Sequence, residues 1–321
     1  MTTTASHRLD LVTAVAAAVR APSVHNTQPW KFRLLDGAIE VFADRRRQLR
    51  VADPDATALR VSCGAAIFNL RLAFAQLGCD AEVRLLPDWR DPDLLARVSA
   101  GQRRPPTPPQ TALFRAISKR HSNRRPFIDT AVPPDVRAQL VRAATGEGGW
   151  LDLLIGPAAL VTIAELVGAA DRILVGSDGY REELRQWTRD DDNASDGVPS
   201  GAGGPLPEPY DLLARRDFHG PPRAPGRDYE TDPLVAVLGA ASDSPLDDLV
   251  AGQALQSVLL TATSAGLATS LMSQPIGVPG IREQLRIGLR RYGSPHMLLR
   301  TGYGVPGTPT PRRPIADVLV V

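Results

Sequence analysis

The chain of 321 residues has almost no lysine. Lys31 and Lys119 are the only two, and the other 35 of its 37 basic side chains are arginines. With Ala, Pro and Arg all favoured, this reads as a bias of genomic composition. Charge of one sign is also lacking. The 35 acidic residues nearly balance the basic ones, leaving a net charge of +2, and the two signs are interspersed. That excludes the charge footprint of a nucleic-acid or membrane-surface binder. The run Arg45-Arg46-Arg47 follows Asp44 and reads as solvated surface. Cys63 and Cys79 are the only cysteines. They flank a helical pattern, about 24 Å apart at ~1.5 Å per residue, too far to bridge within that helix. Five scattered histidines lack ligand spacing, so no metal site is expected. No uninterrupted apolar run has the length of a membrane span. Leu11–Val19 is apolar, but Asp10 precedes it and no positive cluster leads it, so it does not read as a signal sequence. The expected location is the cytoplasm.

What is present suffices for a sizeable core: 43% of the residues are hydrophobic and 22% charged. Helical periodicity appears at 9–19, 58–77, 111–119, 134–144, 158–175, 181–187, 245–265 and 281–289. Strand patterns appear at 31–43 around Asp36-Gly37, at 81–86, 150–155 and 233–239, and at 296–303, while residues 268–272 lead into Ser273-Gln274-Pro275. A proline-rich break at 101–109 divides a first half, 1–104, from a second, 105–321. Residues 190–232 change character, with an acidic run, a glycine-rich run and then many Pro and Arg. This stretch is too long for an ordinary loop. It reads either as a disordered insertion or as a lid, anchored by Trp187, Tyr210, Phe218 and Tyr229. The two halves share an ungapped similarity between 63–78 and 251–266. Gly64 falls on Gly252, Ala66 on Ala254, Leu72 on Leu260 and Gly78 on Gly266, which suggests a duplicated fold.

One stretch stands apart: Ala21-Pro22-Ser23-Val24-His25-Asn26-Thr27-Gln28-Pro29-Trp30-Lys31-Phe32. Pro22 stops the preceding helix. From Trp30 on, a strand begins. If the segment between is extended, Asn26 and Gln28 point the same way and offer amide donors and acceptors together. A plain polar turn is the alternative. His25 either faces a ligand or makes a local hydrogen bond. In Arg120-His121-Ser122-Asn123-Arg124, an extended chain places Arg120, Ser122 and Arg124 on one face, a set suited to phosphate. The alternative there is an exposed basic turn.

The order P-S-x-x-N-x-Q-P-W-x-F at 22–32 resembles the FMN-contacting segment of the nitroreductase family. R-x-S-x-R-x-x-F at residues 120–127 resembles that family's opening motif. Gly302-Tyr303-Gly304 followed by Pro311-Arg312-Arg313-Pro314 resembles its closing motif. The resemblance implies an α+β, three-layer α/β/α fold and one bound FMN. Pro22, Ser23, Val24, Asn26 and Gln28 would hold the ring and ribityl chain. Arg120, Ser122, Arg124 and Arg312, rather than Arg313, would hold the phosphate. Ser273 and Gln274 lie in the segment where the family places backbone donors near the reactive flavin nitrogen.

In the family these motifs are shared between two subunits; here they sit in two halves of one chain. The second-half equivalent of the first motif would fall at Thr145-Gly-Glu-Gly-Gly149 and is absent. The resemblance is therefore to the Acg-like branch, with two halves acting as an internal pseudo-dimer around a single site. A monomer is expected, with a homodimer as the alternative. The implied activity is hydride transfer from NAD(P)H through FMN to a nitro compound or quinone, with no side chain acting as acid–base catalyst. The alternative is a protein that sequesters FMN beneath a closed lid.

Overall fold

The computed structural model describes residues 3–190, 194–208, 211–226, 228–305 and 307–320. The first half opens with helix α1 (Thr3–Ala18), a hairpin of β1 (Trp30–Leu35) and β2 (Ala38–Ala43), and helix α2 (Thr57–Gln76). Strands β3 (Cys79–Leu85) and β4 (Leu94–Arg103) follow. The hairpin turns at Asp36-Gly37, where Gly37 takes φ 67°, as tight two-residue turns require. Helix α2 is started by Asp53, whose carboxylate accepts from the Ala58 and Leu59 amides at 2.9 and 2.8 Å. It stops before Gly78 at φ 82°.

In the second half come α3 (Pro108–Ile117), α4 (Pro134–Thr145), β5 (Trp150–Leu154), α5 (Pro157–Val175) and α6 (Asp178–Gln186). Two short strands, β6 (Thr188–Arg189) and β7 (Val198–Pro199), precede β8 (Leu234–Ala240) and α7 (Pro245–Ser264). The chain ends with β9 (Ala268–Met272), α8 (Gln274–Gly277), α9 (Pro279–Gly288), β10 (Ser294–Gly302), α10 (Ile315–Val318) and β11 (Leu319–Val320). Thr107 and Gln110 form a reciprocal capping box at the start of α3.

Two main sheets result. The first has the order β11-β1-β2-β4-β3 and the second β5-β8-β10-β9. Both run antiparallel except where β11 joins β1 in parallel, pairing Phe32 with Leu319. The C-terminus thus completes the sheet of the first half.

Side-chain alternation sets the layers. On β8, Leu234, Ala236, Leu238 and Ala240 face the cluster built with α4 and α7. Val235 and Val237 face the opposite cluster, with α5 and α9. A strand covered on both faces needs apolar residues at every position, and Leu234–Ala240 has them. The second sheet is accordingly the middle of an α/β/α sandwich. The first sheet differs: Trp30, Phe32, Ile39, Val41, Ala96 and Val98 pack against α1 and α2. Its other face carries Glu40 between Arg33 and Arg97.

Between the sheets lie α2 and α7, in contact along their length. Ion pairing of Arg60 with Asp248, apposition of Gly64 and Gly252, and the Gln256–Asn69 bond at 2.7 Å advance in the same direction along both helices. Although no apolar run stood out in the sequence, α2 is long and apolar enough to cross a membrane. Its apolar window is 83% buried, and its side chains build the core. Cys63 and Cys79 are both free.

Candidate functional site

The 22–28 segment is not extended. His25, Asn26 and Gln28 take φ of 52°, 54° and 50°, the left-handed region that L-residues enter at a cost of order 1–2 kcal/mol each. A turn of 3-10 helix at Val24–Asn26 coils the chain. Ser23 secures it, accepting the Gln28 amide on Oγ at 2.9 Å and the Asn26 amide on its carbonyl at 3.0 Å. The expected common face of Asn26 and Gln28 is therefore replaced by a knot. Asn26 Nδ2 donates to the Gly197 and Pro311 carbonyls at 2.9 and 3.1 Å, and its Oδ1 accepts from Arg312 at 3.0 Å. Gln28 Nε2 donates to the Ser195 carbonyl at 2.9 Å, and its Oε1 accepts the Arg313 amide at 2.9 Å. Both amides bind the 190–232 segment and the C-terminal arm to the motif.

Beside this knot is a cleft, partly open to solvent, with about 770 Å³ of empty space. Pro22, Ser23, Val24 and His25 form one wall. Ser122, Arg124 and the run 270–274, which includes Ser273 and Gln274, form another. Strand β9 lies at the edge of its sheet, so its outer side can meet the 120–124 segment: the Asn123 amide donates to the Thr269 carbonyl at 2.7 Å. Gln274 is only 2% exposed, and its Oε1 has no hydrogen-bond partner among the described residues.

The roof comes from the inserted segment: Gly203, Arg215, Arg216 and Phe218. Phe218 meets the His25 ring edge-on at 5.8 Å and lies under the Arg124 guanidinium at 4.8 Å. Arg124 donates to the Ala202 carbonyl at 2.9 Å. Arg216 donates to the Tyr180 hydroxyl at 2.7 Å and to Ser273 Oγ at 2.9 Å. Burial, with the charges of Arg216 and Arg124, holds the His25 imidazole well below its usual pKa of 6.5. Its Nδ1 has no partner among the described residues, so the local hydrogen bond expected for a turn histidine is not made there.

A second cluster of cations adjoins the motif. Arg120 is 4% exposed, donates to the Arg20 carbonyl at 3.3 Å and leaves Nε without a partner among the described residues. Arg312 donates to the Thr310 hydroxyl at 2.7 Å and to the Ala21 carbonyl at 3.3 Å, and its Nε is likewise unsatisfied. Desolvation lowers Arg120 from 12.5 to about 10. Desolvation, then repulsion from Arg120 and Arg20, lowers Arg312 to about 9. Among the described residues, Arg120 and Arg312 donate to carbonyls, a hydroxyl and the Asn26 amide oxygen, and to no carboxylate. Buried cations left this way are stabilised by an arriving anion. The three expected residues of the 120–124 segment thus divide: Arg120 joins Arg20 and Arg312, while Ser122 and Arg124 line the cleft. Arg313 turns elsewhere, to the Gln28 and Asp317 carbonyls and toward Asp44. Arg20 was not singled out in the sequence; a cation directly before Ala-Pro-Ser was the available signal.

The inserted segment is folded where it is described. Trp187 lies under Arg47 and Arg189 at 5.3 and 5.6 Å, and both arginines pair with Asp196. The Tyr229 hydroxyl donates to the Arg124 carbonyl at 2.6 Å. Tyr210, another expected anchor, lies outside the described residues. At the second-half position corresponding to the motif, Gly149 presses on α7, where an added Cβ would come 2.7 Å from the Ala254 Cβ. Nearby, Glu147 pairs with Arg71 of α2.

No family model matches the sequence. The chain is 34% identical over 316 residues to the Mycobacterium tuberculosis protein named "Putative NAD(P)H nitroreductase Rv3131", covering 96% of this chain and 90% of that protein. It is 30% identical over 318 residues to "Putative NAD(P)H nitroreductase acg" from the same organism, covering 96% and 94%. Among solved structures, it is similar to a nitroreductase with bound FMN from Desulfitobacterium hafniense, at 14% identity and a TM-score of 0.42, covering 65% of this chain and 97% of that one.

Proposed function

Because the chain belongs to the nitroreductase family, we propose that it binds one FMN and passes a hydride from NAD(P)H to an electron-poor acceptor, a nitro compound or a quinone. The observation that carries this reading is the placement of buried Arg120 and half-buried Arg312, with exposed Arg20 beside them, against the motif that lines the cleft. An extended cofactor with a dianion at one end and a polar-edged ring at the other matches that pair of environments. Arg120 and Arg312 hold the phosphate, with Ser122 and Arg124 toward the cleft. Pro22, Ser23 and Val24 support the ring, and Gln274, with its unpartnered Oε1, offers an acceptor to a ring N–H. Asn26 and Gln28 reach the cofactor only when their amides leave the Gly197 and Ser195 carbonyls. When bound, FMN supplies the redox chemistry; the protein supplies position and charge.

The halves 1–104 and 105–321 take the parts of two subunits. Two observations support this: the matching strand orders β1-β2-β4-β3 and β5-β8-β10-β9, and the mutual contact of Gly64 and Gly252.

The bonds from Asn26 and Gln28 to the inserted segment favour a second reading, retention of FMN without turnover. Anaerobic stopped-flow mixing of the FMN-loaded protein with NADH or NADPH separates them. Bleaching of the oxidised flavin band supports the reductase. Bleaching by dithionite, but by neither nicotinamide, supports retention.

A further inference from the structure

Beside the cleft is a second, larger hollow, partly open to solvent, with about 1410 Å³ of empty space between the 49–58 connector and α9. The two share Val24, Ala58, Arg216, Ser273 and Met297 as walls, so Arg216 faces both. Its guanidinium is held by two neutral hydroxyls, Tyr180 and Ser273. Arg282 lines the same hollow. It donates Nε to the Pro295 carbonyl at 2.9 Å, while its buried Nη2 has no hydrogen-bond partner among the described residues. A buried donor without an acceptor is costly, and a guanidinium presents a planar fork suited to carboxylate or phosphate.

Among the described residues, no carboxylate forms an ion pair with either arginine. Asp53 accepts two backbone amides, and Glu283 pairs with Arg286. Asp55 and Asp243 are exposed. Burial pushes the Asp171 carboxyl up, and Gln274 and Arg216 offset that only in part.

We propose that this hollow admits the second substrate, which is held by an anionic group on Arg216, with Arg282 as a further anchor. The inference rests on the oxidoreductase reading and names the class of reactant: a small molecule carrying a carboxylate or phosphate. Entry through the hollow leaves the bonds of Asn26 and Gln28 to the inserted segment intact. The carboxylate source is an acidic acceptor, and the phosphate source is the nicotinamide donor.

Equilibrium dialysis of FMN-loaded protein tests this with 4-nitrobenzoate, its neutral analogue 4-nitrobenzyl alcohol, and ADP. At least one of the two anions should bind tenfold or more tightly than the alcohol. Arg216→Gln should abolish that preference and Arg216→Lys should keep part of it. The anion affected identifies the source. Equal binding of all three probes overturns the proposal. So does an anion preference that survives both Arg216→Gln and Arg282→Gln. The flavin absorbance retained after desalting is read separately. Lost FMN with an intact anion preference would fault the flavin reading and leave the hollow's role standing.

Discussion

Gly64 of α2 and Gly252 of α7 face each other so closely that neither position has room for a side chain. A Cβ on Gly64 would come 2.9 Å from the Gly252 Cα and against the Leu249 carbonyl. A Cβ on Gly252 would come 2.8 Å from the Gly64 Cα and against the Val61 carbonyl. The carbonyls lie three residues before each glycine, so the contact is reciprocal. Every opposing atom is backbone and cannot rotate aside. Gly64→Ala and Gly252→Ala should therefore each destabilise the protein by about 1–3 kcal/mol, the usual cost of overpacking. Urea unfolding of each variant measures this, and a change within about 0.5 kcal/mol, that of an ordinary surface substitution, would contradict it.

That contact also marks what the sequence disclosed. The ungapped match of Gly64 with Gly252 and of Gly78 with Gly266 is visible without structure, because a close helix crossing and a left-handed cap each demand glycine locally. Strand β8 was legible because burial on both faces leaves an unbroken apolar run. Strand β4 was not: Ala96, Arg97, Ser99, Ala100 and Gly101 are poor strand formers, and pairing with β2 and β3 overrides their preference. Between an extended segment and a polar turn at 22–28 the sequence did not decide, because the partners that stabilise the left-handed turn at His25, Asn26 and Gln28 lie at 195–197 and 311–313, far away in sequence. Arg216 had no local signal at all; its role comes from Tyr180 and Ser273 closing around it.

The arginine cluster should favour bound anions over the empty state. The folded-state values of Arg120 and Arg312, about 10 and about 9, lie below the ordinary 12.5. For a cation, that sign means folding opposes protonation. The penalty is complete at neutral pH and is relieved only as pH rises past the folded values. Inorganic phosphate should raise the melting temperature of the FMN-free protein more than chloride at equal ionic strength. Arg312→Met should abolish that difference. It should also weaken FMN binding by about 10- to 100-fold, as expected for losing a charged hydrogen bond worth ~1.5–3 kcal/mol. Calorimetry and flavin fluorescence titration read the two effects.

Asp196 fastens the inserted segment to the connector through Arg47 and Arg189. Burial alone would raise its carboxyl, but hydrogen bonds from Arg189 and Arg47 hold it below the usual 3.8. Its contribution is therefore present above 3.8 and lost as pH falls through the lower folded value. At neutral pH, Asp196→Asn should speed FMN release by about 1.5- to 5-fold, matching a partly exposed ion pair of ~0.2–1 kcal/mol. Wild-type protein should gain comparable speed only in acid below the carboxyl's folded value. Release into excess apoflavodoxin follows the rate; an unchanged rate would mean that Asp196 does not fasten the segment.

His25 should stay neutral across the physiological range, because burial and the charges of Arg216 and Arg124 both oppose its protonation. Its Cε1 proton resonance should not shift between pH 8 and 5.5. A titration centred near 6.5 would show that the ring is open to water, and the closed roof formed by Phe218 would be wrong.

The proposed function requires a single FMN site made from both halves of the chain. Titrating apo-protein with FMN by calorimetry tests it most directly. One FMN should bind per chain, with binding lost when Arg120→Ala and Arg312→Ala are combined. Two FMN per chain, or one that survives the double substitution, would contradict it.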